Sequence, residues 1–233
     1  MPARSLAAPS AFPAVRRFDG RICPLMKTLT IAADAPDEAA IAEAADVLRR
    51  GGVVAYPTDT LYGLAVDPRR DEAVTRLYGL KGRDAWSAVP LIAASVEQAQ
   101  LAAVMGGVEL RLARAFWPGP LTIVMAPQPG LSPVVLGSGT TVGVRVPSHA
   151  VARALAAAFG FCITATSANR SGEPPAATGA DVAATLDAAI DLLVDAGPVA
   201  GGAPSTIVEV VENGPRLVRR GAVAWDRVLR SLE

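Results

Sequence analysis

Four stretches of this chain put hydroxyls, amides or cations where an apolar run ends, and these are the residues equipped for chemistry. The first is Tyr56-Pro57-Thr58-Asp59-Thr60-Leu61-Tyr62-Gly63-Leu64. Its threonine hydroxyls and the Asp59 carboxylate, held at a strand end, suit a small zwitterion. The same residues also suit a Pro-Thr-Asp turn whose side chains bond their own backbone. The second is Lys81-Gly82-Arg83. Alternate residues of an extended segment project to one side, so Lys81 and Arg83 can face one ligand, and Gly82 lets a backbone come close. A triphosphate is the natural partner, because arginine takes it by bidentate bonds and lysine as a point charge. A solvated basic turn after a helix is the alternative. The third is Thr164-Ala165-Thr166-Ser167-Ala168-Asn169-Arg170-Ser171-Gly172, whose small polar groups suit nucleotide contacts or an ordinary loop. The fourth group is Arg145, inside the apolar run Val142–Val146, with Arg219-Arg220-Gly221 near the C-terminus. An arginine in a buried strand needs an anionic partner, and a carboxylate of the fold would serve as well as a ligand.

Several chemistries are excluded. The single histidine, His149, rules out a His-rich zinc site and is read as structural, at a helix start. Gly51-Gly52 precedes a strand rather than opening a helix, so it is no phosphate loop of the Walker or dinucleotide kind. Asp59, Asp67 and Asp84 lack metal-ligand spacing, and no protein metal site is expected. Cys23 and Cys162 read as free thiols of a reducing compartment.

The elements that must position these groups alternate along the chain. A helix runs from Pro36-Asp37 through Arg50, with Ile41, Ala45 and Leu48 on one face and Gly51 ending it. Further helices are expected over Asp71–Leu80, Val108–Phe116, Ser148 or His149 to about Ala158, and Asp181–Ala188. Strands are expected at Val53–Tyr56, Val89–Ala93, Leu121–Met125, Val142–Val146, Phe161–Ala165, Leu192–Asp195, Thr206–Val211 and Arg216–Val218. Such short apolar runs point to strands covered on both faces. The expected fold is α/β: one domain with a twisted mixed β-sheet flanked by helices, over residues 26–233.

Residues 1–25 differ, holding Arg4, Arg16, Arg17 and Arg21 against Asp19, and are expected to be a disordered extension or to precede a true start at Met26. The 233 residues are 51% hydrophobic and 19% charged, with 22 basic and 22 acidic residues. Zero net charge gives no bulk grip on nucleic acid, so any polyanion must meet a local cationic cluster. No apolar run reaches the ~18–20 residues of a membrane span, and a cytoplasmic location is expected.

In order, the segments Gly51–Leu64, Lys81–Arg83, Pro118–Thr122, Val144–Pro147, Ser167–Gly172, Pro204–Val208 and Arg219–Gly221 resemble the YrdC-domain family, in particular its single-domain threonylcarbamoyl-AMP synthases. The resemblance covers roughly residue 37 to the C-terminus. It implies that L-threonine and bicarbonate or carbon dioxide form a carbamate, which attacks the α-phosphate of ATP, with Mg²⁺ accompanying the nucleotide. It also implies hand-over of the product to the proteins that transfer threonylcarbamoyl to tRNA, with at most weak binding of tRNA itself. Carried over by position, Lys81 and Arg83 are the polyphosphate-binding and catalytic pair. Thr141, Ser167, Asn169 and Arg219 are further ATP contacts, and Thr60, Arg145 and Ser205 form the threonine site. The chain departs from the family at Asp84, Ser87, Ile92 and Pro175, which blurs fine contacts and leaves the central cations in place. The longer members carry a second C-terminal domain, and none is expected within these 233 residues. The alternative to the synthase is a non-catalytic RNA-binding module of the same fold.

Overall fold

The structure is a computed structural model that describes strands at 15–18 and 21–24 and residues 26–82, 87–186, 189–212 and 214–233. Val15–Phe18 (β1) and Arg21–Pro24 (β2) pair as a separate antiparallel ribbon. The remaining elements follow as Lys27–Thr30 (β3), Glu38–Arg49 (α1), Val54–Pro57 (β4), Tyr62–Ala65 (β5), Asp71–Lys81 (α2), Leu91–Ile92 (β6), Val96–Ala102 (α3) and Gly107–Phe116 (α4). After these come Leu121–Met125 (β7), Pro133–Leu136 (α5), Val142–Arg145 (β8), Ala150–Phe159 (α6), Ile163–Thr164 (β9), Thr166–Ser167 (β10) and Gly179–Leu186 (α7). Leu192–Asp195 (β11), Thr206–Val211 (β12), Gly214–Arg219 (β13) and Trp225–Arg230 (α8) complete the order.

The fold is α/β with mixed sheets, as expected, but the strands divide between two sheets rather than forming one. A five-stranded sheet has the order β10-β5-β4-β11-β3, and a six-stranded sheet the order β13-β12-β7-β8-β6-β9. Both mix parallel and antiparallel pairs. Consecutive strands β9 and β10 belong to different sheets, so the chain steps from one to the other at Ala165. Thr164 ties the step down: its hydroxyl accepts from Val66 N–H (2.9 Å) and donates to Leu64 C=O (3.2 Å).

Local chemistry accounts for the helices that frame the sheets. Asp37 caps α1 by accepting from Ala40 N–H at 2.8 Å. Ile41, Ala44, Ala45 and Leu48 then face a cluster built with Val151, Leu155 and Phe159 of α6 and Val54 and Val194 of the five-stranded sheet. Fully buried Leu48 contributes about 1.5–3 kcal/mol by leaving water. Cutting it to alanine would cost about 2–5 kcal/mol once the residual cavity is counted. A larger cluster joins α2, α3 and α4 to the six-stranded sheet. Cys162 is buried and free, and burial pushes its thiol up to about 12. Among the described residues no helix is long and apolar enough to cross a membrane.

Candidate active site

The segment Tyr56–Leu64 does both things its composition allowed. It is a hairpin, with β4 and β5 antiparallel and Pro57 opposite Tyr62. Thr58 is spent on the turn: its hydroxyl donates to Leu61 C=O (2.6 Å) and accepts from the N–H groups of Thr60 and Leu61 (both 3.4 Å). The turn is thereby fixed with Thr60 and Leu61 on the wall of a cavity of about 460 Å³. Tyr56, Gly63, Thr166 and Ser167 of the five-stranded sheet form that side. Ile92, Thr122, Arg145, Ile207 and Arg219 of the six-stranded sheet form the other, with Pro204 and Ser205. The cavity therefore lies between the two sheets.

Its electrostatics are set by the two arginines. Arg145 ends β8 at 8% exposure, and its Nη2 lies 3.4 Å from the Asp59 carboxylate. Asp59 also accepts from Ser148 N–H at 3.3 Å, which joins the hairpin turn to the residues leading into α6. Burial, and then repulsion from Arg145, hold the Arg219 guanidinium below its ordinary value. Two positive groups on the six-stranded side of the cavity thus feel each other while Asp59 is paired with Arg145, an arrangement that favours an anionic occupant. Burial raises the Tyr56 phenol well above its usual range, offset in part by Arg145, so the hydroxyl stays protonated and donates to Thr164 C=O at 3.1 Å.

Lys81 closes α2, which stops at Gly82 in the left-handed conformation (φ 57°). The lysine is 4% exposed. Its Nζ donates to Ser167 C=O (2.5 Å) and Asn169 C=O (2.9 Å), and approaches Asn169 Oδ1 (3.3 Å) and Ser167 Oγ (3.5 Å). Ser167 Oγ donates to Asn169 Oδ1 at 2.5 Å, and Ser171 N–H reaches the Lys81 carbonyl at 2.8 Å. Lys81, Ser167 and Asn169 are therefore one cluster, and only Ser167 of the three lines the cavity. Arg83 and Asp84 lie outside the described residues.

Across the cavity, Arg219 Nη2 donates to Ser205 C=O (2.8 Å) and Ser205 Oγ (3.2 Å), and Ser205 Oγ meets Thr122 Oγ1 at 2.8 Å. This corner depends on Gly221. A Cβ there would sit 2.2 Å from Pro204 C=O and 2.5 Å from Ser205 C. Only glycine lets the end of β13 press onto the start of β12, where Thr206 Oγ1 donates to Val223 C=O at 2.7 Å.

Of the residues singled out from the sequence, Thr60, Arg145, Ser167, Ser205 and Arg219 line one cavity, with Lys81 and Asn169 bonded to its Ser167 edge. Thr141 is not on the wall; it precedes β8, four residues from Arg145, or roughly 13 Å along the strand. Ile92 is on the wall at 1% exposure, so that departure from the family falls inside the cavity. Ser87 is engaged through its carbonyl by Tyr78 Oη (2.5 Å), and Pro175 is exposed. His149 is the N-cap residue of α6; its Nδ1 is buried without a hydrogen-bond partner among the described residues. Thr122 went unselected in the sequence, although a hydroxyl amid Leu121–Met125 was its signal.

The fold and the site together define an α/β protein with a cationic, hydroxyl-edged cleft between two mixed sheets. Residues 46–221 match the Sua5/YciO/YrdC family, described as "Telomere recombination". The chain belongs to that family. It is 40% identical over 181 residues to a threonylcarbamoyl-AMP synthase of Chromohalobacter salexigens, covering 77% of this chain and 96% of the relative. It is 37% identical over 212 residues to a threonylcarbamoyl-AMP synthase of Bacillus subtilis, covering 87% of this chain but only 61% of the relative. The structure superposes on Pyrococcus abyssi Sua5 complexed with L-threonine with a TM-score of 0.82 and 33% identity, over 88% of this chain and 60% of that one.

Proposed function

We propose that this chain is an ATP-dependent threonylcarbamoyl-AMP synthase. The observation that carries the reading is the cavity between the sheets, where Arg145 and Arg219 face a space rimmed by Thr60, Ser167 and Ser205 and, among the described residues, Asp59 pairs with Arg145. Relatives that carry the synthase name and a fold-mate solved with L-threonine support it.

The residues divide the work by charge. Arg145 takes the threonine carboxylate, with the Thr60 and Ser205 hydroxyls beside it. The threonine amine adds to the carbon of CO₂ released from bicarbonate and loses a proton, giving a carbamate. A carbamate oxygen then attacks the α-phosphorus of ATP. The bond to the β-phosphate oxygen breaks, and pyrophosphate leaves with the electron pair. Arg219, with the Ser167–Asn169 loop that Lys81 holds, stabilises the phosphates as charge grows on the leaving group, and Arg83 joins them from the segment after α2. Thr141 contacts the nucleotide further along β8. No covalent enzyme intermediate is required.

Mg²⁺ accompanies ATP in this scheme and supplies charge neutralisation at the phosphates. Among the described residues no three His, Cys, Asp or Glu side chains come together as a metal cage. Such a cleft suits an ion held chiefly by phosphate oxygens and water. The product passes to tRNA-modifying transfer proteins in the cytoplasm, and residues 26–233 act as one catalytic domain.

Pyrophosphate release by the purified protein, with ATP and Mg²⁺ and with threonine or bicarbonate added or omitted, tests the reading. Release that needs both, with the mass of threonylcarbamoyl-AMP, is expected. A folded protein that releases none but binds RNA in a salt-dependent way would establish the non-catalytic alternative.

A further inference from the structure

Arg145 presents a physical problem on the cavity wall. Its side chain is 10% exposed, and a guanidinium that deep must be both partnered and oriented. The partner is Asp59, 3.4 Å from Nη2, and Asp59 is itself 19% exposed. It is absent from the cavity wall, whereas its neighbours Thr58 and Thr60 are on it. Asp59 thus pairs with the arginine without itself lining the cavity.

Asp59 is in turn anchored. The turn that carries it is closed by the Thr58 hydroxyl. Its Oδ2 accepts from Ser148 N–H at 3.3 Å, just ahead of α6. That helix runs ten residues, has no acidic residue in its first turn and no side-chain cap at His149. Its positive end is therefore free to act on a carboxylate nearby. Burial holds the His149 imidazole below its ordinary value, with the nearby Asp59 opposing that effect and Arg153 adding to it.

We propose that Asp59 is a positioning residue for the substrate carboxylate: it fixes the Arg145 guanidinium from outside the cavity lining and is itself held by Ser148 N–H ahead of α6. This rests on the synthase reading and adds to it a residue that does not touch substrate. A bare carboxylate beside Arg145 would repel the incoming carboxylate. The Ser148 N–H and the α6 terminus offset that repulsion, so Asp59 orients the arginine without cancelling it.

The test is titration calorimetry of L-threonine with wild-type protein, Asp59→Asn and Asp59→Glu, alongside steady-state kinetics and thermal melting. Asp59→Asn keeps an acceptor for Ser148 N–H and loses the charge on Arg145. It should weaken threonine binding and raise its KM about 10-fold, with the KM for ATP within about twofold of wild type. Asp59→Glu, which restores the charge, should recover part of the loss. A purely structural role would instead lower the melting temperature and affect both substrates alike, and that result overturns the proposal. Equal threonine affinity in wild type and Asp59→Asn overturns it as well. Wild-type protein that binds no threonine overturns the synthase reading, and this proposal with it.

Discussion

Arg145 and Ser205 look alike in the sequence, as polar residues in apolar company, but the structure gives them different weights. Arg145 is nine-tenths buried and supplies the charge, so Arg145→Ala removes a charged hydrogen bond of about 1.5–3 kcal/mol. The KM for threonine should rise about 10- to 150-fold with little change in the KM for ATP, as initial rates at varied threonine would show. Ser205→Ala removes one neutral bond to Thr122 and one longer bond to Arg219, for about 1 kcal/mol, or roughly fivefold in the same assay. The need of Arg145 for an anion was legible from its place in Val142–Val146. That the anion would include Asp59 was not, because 86 positions of sequence separate them and only the β4–β5 turn and the end of β8 bring them together. Thr122 was missed for a related reason: its partner Ser205 lies on a loop whose approach depends on Gly221.

Helices and strands with strong local signals were readable at their own scale. The cap at Asp37 and the three-to-four spacing after it define α1, and β7, β11 and β12 fall where their apolar runs place them. Short elements were not readable: α3, α5 and β5 have too few residues for a period to show, and β5 forms because β4 and β10 pair with it on either side. The end of α2 carries a prediction of this kind. Lys81 fastens that helix to the loop after β10 through two main-chain carbonyls. Lys81→Met should leave those carbonyls without their donor, loosen residues 167–171 and weaken ATP more than threonine. Hydrogen exchange at Ser171 N–H, which bonds the Lys81 carbonyl, and ATP titrations would report it. Unchanged protection with lost ATP affinity would instead make Lys81 a direct phosphate ligand.

For the whole molecule, the α/β class and a mixed strand arrangement were legible in the sequence but the split into two sheets was not. The chain passes between the sheets three times, after β5, at Ala165 and after β11, and nothing in Phe161–Ala165 distinguishes a strand that stays in one sheet from one that leaves it. The cavity between the sheets should make stability respond to ligands. A substrate at about 100 times its Kd adds about 2.7 kcal/mol. For a chain of this size that is roughly 5–10 °C in Tm, measurable by differential scanning calorimetry with threonine, ATP or both. Balanced charge over the chain should keep that response only weakly dependent on salt for threonine, whose anchor is buried.

The step at Ala165 also has a mechanical meaning. The two walls of the cleft are leaves of a book, and β9–Ala165–β10 is a stitch of its spine, pinned by Thr164 to Val66 and Leu64. A molecule held by Arg145 on one leaf and by Thr60 or Ser167 on the other keeps the book shut. On the proposed function, the first substrate to bind is therefore expected to change the affinity for the second, which titrating each in the presence of the other would measure.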